Sequence, residues 1–125
     1  MSLVIAPTDV IAVVGASNSP EKFGHKIVAT LKAAGYTVRP INPFEKTILG
    51  LPVYHRLADV PGRIDLADMV VPPAVTLKVL EEVHALGLKK VWFQPGSESD
   101  EALEYCRQHE IEFVAHACLM ETVRL

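Results

Sequence analysis

The chain has 125 residues, of which 50% are hydrophobic and 22% charged, and its formal net charge is −3. That length fits one domain able to bury a core without disulfide or metal staples, and that composition excludes a disordered chain. The acidic balance argues against a nucleic-acid partner, and the longest apolar runs fall far short of the ~20 residues of a membrane span.

In chain order, Val10–Val14 is a continuous apolar run closed by Gly15, the pattern of a strand buried on both faces. Ile27, Val28, Leu31 and Ala34 recur at helical spacing, and Gly35 supplies a stop. Tyr36–Ile41 reads as a second strand, ended near Pro40. Asn42-Pro43 and Leu49–Pro52 are loop chemistry around a short edge segment near Val53-Tyr54. A single helical turn is expected over Leu57–Val60. Ile64–Val71 contains the next strand, ending at Pro72-Pro73. Val75, Val79, Val83 and Leu86, widened by Leu80, form a helical stripe ended by Gly87. Lys90–Phe93 is another strand, and Ser99 caps a helix whose first turn, Asp100 and Glu101, suits the helix dipole. Ile111–Ala115 closes the series. Alternating strands and helices predict an α/β fold: a Rossmann-like three-layer sandwich with about five parallel strands in the order 3-2-1-4-5, spanning residues 1–125 as a single domain.

In such a sheet, ligands sit outside the carboxyl ends of the strands. Gly15-Ala16-Ser17 is the most informative of these ends, because a glycine turn before a helix presents backbone N–H groups to an anion. Ser17 stands where the full G-x-G-x-x-G fingerprint has its second glycine, so the turn could also serve the backbone alone. An NAD site places an acid at the end of the second strand, whereas this chain has Arg39, Pro40, Ile41 and Asn42 there and no acid before Glu45. Arg39 suits a phosphorylated ribose, as in NADP or coenzyme A, or else is a solvated surface arginine. Pro72-Pro73 and Pro95-Gly96 make rigid walls, or punctuate helix starts. Gln94 faces ligand or solvent.

His116 and Cys118 lie two apart, on one side of an extended segment. A metal site would need ligands at spacings that the other histidines do not show. A Cys–His nucleophile lacks an evident orienting residue, and a small packed thiol is the default for Cys118. Cys106, one turn from Leu103, reads as core. Two cysteines make no secreted disulfide framework, and Met1–Ala6 carries no basic segment, so a cytoplasmic protein without a signal peptide is expected. No paired carboxylates, G-x-S-x-G elbow or Walker lysine–serine occurs. The residues speak for binding more than for turnover.

Taken as an ordered set, Ile11–Ser17 with Pro20, Gly35–Pro43, Ile48-Leu49-Gly50, Leu57–Pro61, Val71-Pro72-Pro73, Val91–Gly96 and Cys118-Leu119-Met120 resemble the stand-alone coenzyme A-binding domain family. The fold is similar to the CoA-binding domain of the succinyl-CoA synthetase α subunit. The resemblance implies a Rossmann-like CoA-binding protein, and with the phosphate turn and the missing ribose acid it leads to the expectation of a module that binds CoA or an acyl-CoA without catalytic turnover and holds no metal. Gly15, Ala16 and Ser17 would hold the pyrophosphate, with Lys22 and Lys26 in reach of a phosphate. Arg39, Pro40 and Asn42 would flank the adenosine. Val71, Pro72 and Pro73 would wall one side, and Gln94, Pro95 and Gly96 the other. Cys118 falls on a cysteine often present in the family, so the CoA thiol is expected near it. His116-Ala117 departs from the more usual Gly-Arg or Asp-Arg. Thiol or acyl exchange at Cys118, a redox sensor, and an NADP-type domain acting with a partner are the alternatives, and a homo-oligomer is left open.

Overall fold

The computed structural model describes residues 5–122. Its elements are β1 (Val10–Val14), α1 (Phe23–Ala33), β2 (Thr37–Ile41), β3 (Thr47–Ile48), β4 (Leu51–Pro52), a 3-10 turn (Leu57–Asp59), β5 (Leu66–Met69), α2 (Pro73–Ala85), β6 (Lys90–Phe93), α3 (Asp100–Gln108), β7 (Glu112–Val114) and α4 (Leu119–Thr122). Five parallel strands form one sheet in the order β2-β1-β5-β6-β7. The all-apolar β1 lies between β2 and β5, and from Ile11 to Val14 it is buried on both faces.

Alternation along the strands divides the core into two layers. Ile11 and Val13 of β1 pack with Ile27, Val28 and Leu31 of α1 and Leu119 of α4. Ala12 and Val14 face the opposite way, toward Leu57 of the 3-10 turn, Leu80 and Val83 of α2, and Ala102 and Cys106 of α3. The expected three-layer α/β sandwich is therefore present. Ser99 caps α3 as its sequence foretold, its hydroxyl accepting from the Ala102 amide at 3.1 Å.

Three features differ from the sequence-based reading. The place beyond β2 that the order 3-2-1-4-5 gives to a third strand is held by Tyr54 alone, through a single parallel bridge to Ile41. Pro40 and Pro52 lack the N–H groups a longer ladder would need. β3 and β4 form a small antiparallel hairpin where only loop was expected, turning through Leu49-Gly50. The α2 stripe is also rotated: Thr76, Leu80 and Val83 are the buried positions, while Val75 and Leu86 are each 43% exposed.

Asp68 lies in mid-β5, level with Val13 and Trp92. It is completely buried, and neither carboxyl oxygen has a hydrogen-bond partner among the described residues. Burial pushes its pKa well above the usual carboxylate range, because a charged form would lose its hydration without replacement.

Candidate functional site

The carboxyl edge of the sheet is built on close backbone approach. Gly15 ends β1 at φ +101°, and a β-carbon there would stand 2.9 Å from both the Val70 carbonyl oxygen and Val71 Cγ1. Gly24, in the first turn of α1, abuts the Gly15 carbonyl so closely that any side chain would overlap it. Sequence reading did not single out Gly24, although the last glycine of a dinucleotide fingerprint has the same packing role. Here it stands nine residues after the first, outside the usual spacing.

The turn's own amides are partly committed. Gly15 and Ala16 both donate to the Ile41 carbonyl, at 3.1 and 3.2 Å. Asn42 Nδ2 donates to the Ala16 carbonyl at 2.9 Å, while Asn42 Oδ1 accepts from the Phe44 and Glu45 amides. Asn42 is thus a latch between the loops after β1 and β2. Ser17 Oγ accepts from the Ser19 amide, and His25 Nδ1 donates to the Ser17 carbonyl at 3.0 Å. Among the described residues no side chain caps α1 or α2, whose first turns stand at this edge. An uncapped helix start favours an anion through its free N–H groups and dipole, and this applies to α1; α2 begins on Pro72 and Pro73, which have no N–H to offer.

Two clefts open here and share Val71. One, of about 270 Å³, lies between Phe23, the Val70–Pro73 segment and Pro95-Gly96-Ser97. The other, of about 300 Å³, has apolar walls from Val14, Ile41, Leu57, Val71, Val75 and Val79, and Gly15 and Pro43 also border it. His55, Arg56, Lys78 and Glu82 supply its polar lining. Glu82 Oε1 accepts from the Leu57 amide at 3.0 Å, tying α2 to the 3-10 turn.

The expected site residues distribute unevenly over this edge. Gly15, Val71, Pro72, Pro73, Pro95 and Gly96 line the clefts. Ala16 is fully buried, Ser17 half-buried, and Lys22 and Lys26 are exposed on the first turns of α1. Arg39 and Pro40 lie within β2, opposite Ala12 and Val13, short of the strand end; Arg39 Nε is buried with no partner among the described residues. Gln94 is buried and faces neither cleft. Its Oε1 accepts from the Leu119 amide at 3.0 Å, and its Nε2 donates to Cys118 Sγ at 3.3 Å. Trp92 Nε1 donates to the Ala117 carbonyl at 2.8 Å, so Trp92 of β6 and Gln94 just beyond it together hold the Cys118 segment. Cys118 is half-buried, while Cys106 is core, as expected, with burial pushing its thiol up to about 12.

Sequence reading missed His55, Arg56 and Lys78. The first two lie between the edge segment near Val53-Tyr54 and the helical turn at Leu57–Val60, where His55 is weighed only as a metal ligand and Arg56 not at all, and Lys78 stands within an α2 segment read for its apolar stripe. Among the described residues, no group of three or more His, Cys, Asp or Glu side chains could hold a metal ion.

A parallel sheet with helices on both faces, a glycine turn after its first strand and clefts along its carboxyl edge defines a Rossmann-like α/β protein. Residues 9–123 match the family described as a CoA binding domain, and the chain belongs to that family. It is 31% identical over 120 residues to ADP-forming acetate–CoA ligase I of Archaeoglobus fulgidus, covering 88% of this chain and 18% of the ligase. The uncharacterised protein YneT of Bacillus subtilis is 27% identical over 109 residues, covering 87% of this chain and 81% of that protein. Among solved structures, a conserved hypothetical protein from Pyrococcus furiosus matches with a TM-score of 0.88 and 38% identity, covering 91% of this chain and 98% of that one. An acetyl-coenzyme A synthetase of Ca. Korarchaeum cryptofilum, solved with phosphate and ADP, matches with a TM-score of 0.75 and 30% identity, covering 85% of this chain and 25% of the synthetase. The chain spans less than a fifth of the length of the acetate–CoA ligases it matches, and corresponds to their CoA-binding part.

Proposed function

We propose that this protein binds coenzyme A or an acyl-CoA along the carboxyl edge of its sheet, without turnover of its own. The observation that carries the reading is the pair of clefts joined at Val71, set beside the start of α1, which no side chain caps among the described residues. Apolar walls suit an adenine ring and a pantetheine arm, and the open start of α1 suits the pyrophosphate between them. The residues present therefore fit the ligand that the family description names. When bound, CoA would supply a thiol or thioester; the chain's part is to hold and orient it. Calorimetric titration with CoA, acetyl-CoA and NADP side by side tests this. CoA or acetyl-CoA should bind more tightly than NADP, and NADP binding with no CoA binding would overturn it.

A second reading rests on Cys118, whose sulfur stands at the same edge and accepts a hydrogen bond from Gln94. Attack of the Cys118 thiolate on CoA disulfide would form a Cys118–CoA mixed disulfide and release one CoA thiolate. Mass spectrometry after incubation with CoA disulfide should show one CoA adduct that Cys118→Ser abolishes; an unmodified protein would end this reading.

A further inference from the structure

We propose that the proton on Asp68 controls closure of the His116–Leu119 segment: the segment is shut while Asp68 is neutral and opens when that proton is lost. Every group involved belongs to the chain itself, so the change needs no ligand.

Asp68 is level with Val13 of β1 and Trp92 of β6, in neighbouring parallel strands about 4.8 Å apart. Residues in register share a face of the sheet, here the one covered by α1 and α4, where Val13 and Trp92 pack with Ile27, Val28 and Leu119. Gln94 extends that face: its amide donates to the Met69 carbonyl at 3.0 Å, carrying the β5–β6 ladder two residues past Trp92. Both polar side chains reach away from Asp68 to one place. Trp92 Nε1 is on the Ala117 carbonyl, Gln94 Nε2 on Cys118 Sγ, and Gln94 Oε1 on the Leu119 amide. Asp68 thus lies beside two donors and receives neither, since both its oxygens lack a partner among the described residues. A neutral carboxyl tolerates this far better than a carboxylate.

The surrounding charges do not relieve it. On the same face, Leu66 and Val70 of β5 and Val13 of β1 are apolar. Lys90 of β6 lies toward the amino end, beyond the Ala67–Val91 pair, and its charge acts on Asp65. On α1, His25 donates to the Ser17 carbonyl and Lys32 to the Leu49 carbonyl, while Lys26 is exposed. Glu112 of β7 and His116 are exposed, and Cys118 is half-buried. Burial alone raises the Asp68 pKa.

An ionised Asp68 therefore needs water or a donor, and part of its cover must yield. α1 is anchored by Ile27, Val28 and Leu31 over 11 residues. The His116–Leu119 segment has Leu119 and the three side-chain bonds, one of them to sulfur, a weak acceptor. His116 enters it at φ +65°, a backbone region that favours glycine, and α4 beyond has only 4 residues. Lifting the segment frees Trp92 Nε1 and Gln94 Nε2 for a carboxylate, which accepts more strongly than a carbonyl or a thiol. The closed form holds a proton that the open form gives to water, so rising pH favours opening. Cys118 moves with the segment, and the same proton sets access to its thiol.

The test is NMR of the full chain without ligand from pH 5 to 9, for wild type, Asp68→Asn and Asp68→Val. The chain has one tryptophan, so a single indole N–H resonance reports the bond to Ala117. In wild type that resonance should shift in one step, above the ordinary carboxylate range near pH 4. Across the step, amide exchange at Cys118 and Leu119 should exceed its intrinsic rise with pH by about tenfold or more. Neither change should occur in the variants. A flat wild-type profile up to pH 9 would overturn the inference, as would the same step in Asp68→Asn. An indole step without faster exchange at Leu119 also overturns it, because Asp68 then titrates beneath a closed segment. So does equal acceleration at Val13 in β1, which marks unfolding of the whole sheet. If neither variant folds, the wild-type comparison of Leu119 with Val13 decides alone.

Discussion

Gly24 meets Gly15 backbone to backbone: the first turn of α1 rests on the carbonyl that ends β1, with no room for a β-carbon between them. This contact sets how near the start of α1 comes to the carboxyl edge. Gly24→Ala must push the helix away despite alanine's better helix propensity, and should cost about 2–3 kcal/mol, the usual scale of overpacking. Urea unfolding measures it, and a variant as stable as the wild type would show that the two segments separate freely.

Asp68 gives the protein a pH dependence of defined sign. Its folded-state pKa is raised, so between the ordinary carboxylate value near pH 4 and that raised value the folded state holds a proton the unfolded state has lost. Stability contributed by this group therefore falls as pH rises through that window. Asp68→Asn should flatten this component and be the more stable protein at pH 8. Parallel melting-temperature profiles for the two proteins from pH 4 to 9 would contradict this.

The two cysteines should separate cleanly by reactivity. Burial pushes the Cys106 thiol up to about 12, leaving almost no thiolate at pH 8, while Cys118 is half-buried. Native protein should consume one equivalent of an aromatic disulfide reagent, Cys118→Ser should consume none, and the second equivalent should appear only on unfolding. Labelling of Cys106 in the native state would defeat the assignment.

Gln94→Leu keeps the bulk of a buried side chain and removes the acceptor of the Leu119 amide. Leaving that amide unpaired should cost about 1–3 kcal/mol. Hydrogen exchange at Leu119 should accelerate at the same time. Unchanged exchange would mean that the segment is held by Trp92 alone, through its bond to the Ala117 carbonyl.

The sheet was readable because its signals are local and redundant. Val10–Val14 is apolar throughout, Ser99 is a cap followed by two acids, and strands alternate with helices of ordinary length. The edge was less readable because its contacts are set by register and by helix rotation. Val75 and Val83 look alike as members of one apolar stripe, yet a rotation of α2 gives Val83 to the core and Val75 to the cleft. Arg39 and Asn42 are grouped by proximity to a strand end, but only two residues separate a mid-strand side chain from a loop latch. Gln94 offers no sequence sign of its partners, which lie 24 and 25 residues further on.

The coupling of the β1 turn to β2 has a consequence for anyone who would move it. Excised with β1 and α1 alone and placed in another sheet, the Gly15-Ala16 turn would lose the two amide bonds to Ile41 and the bond from Asn42. Its shape is written in two stretches of chain some 26 residues apart, so the smallest transplantable unit includes the end of β2 and the loop that Asn42 folds.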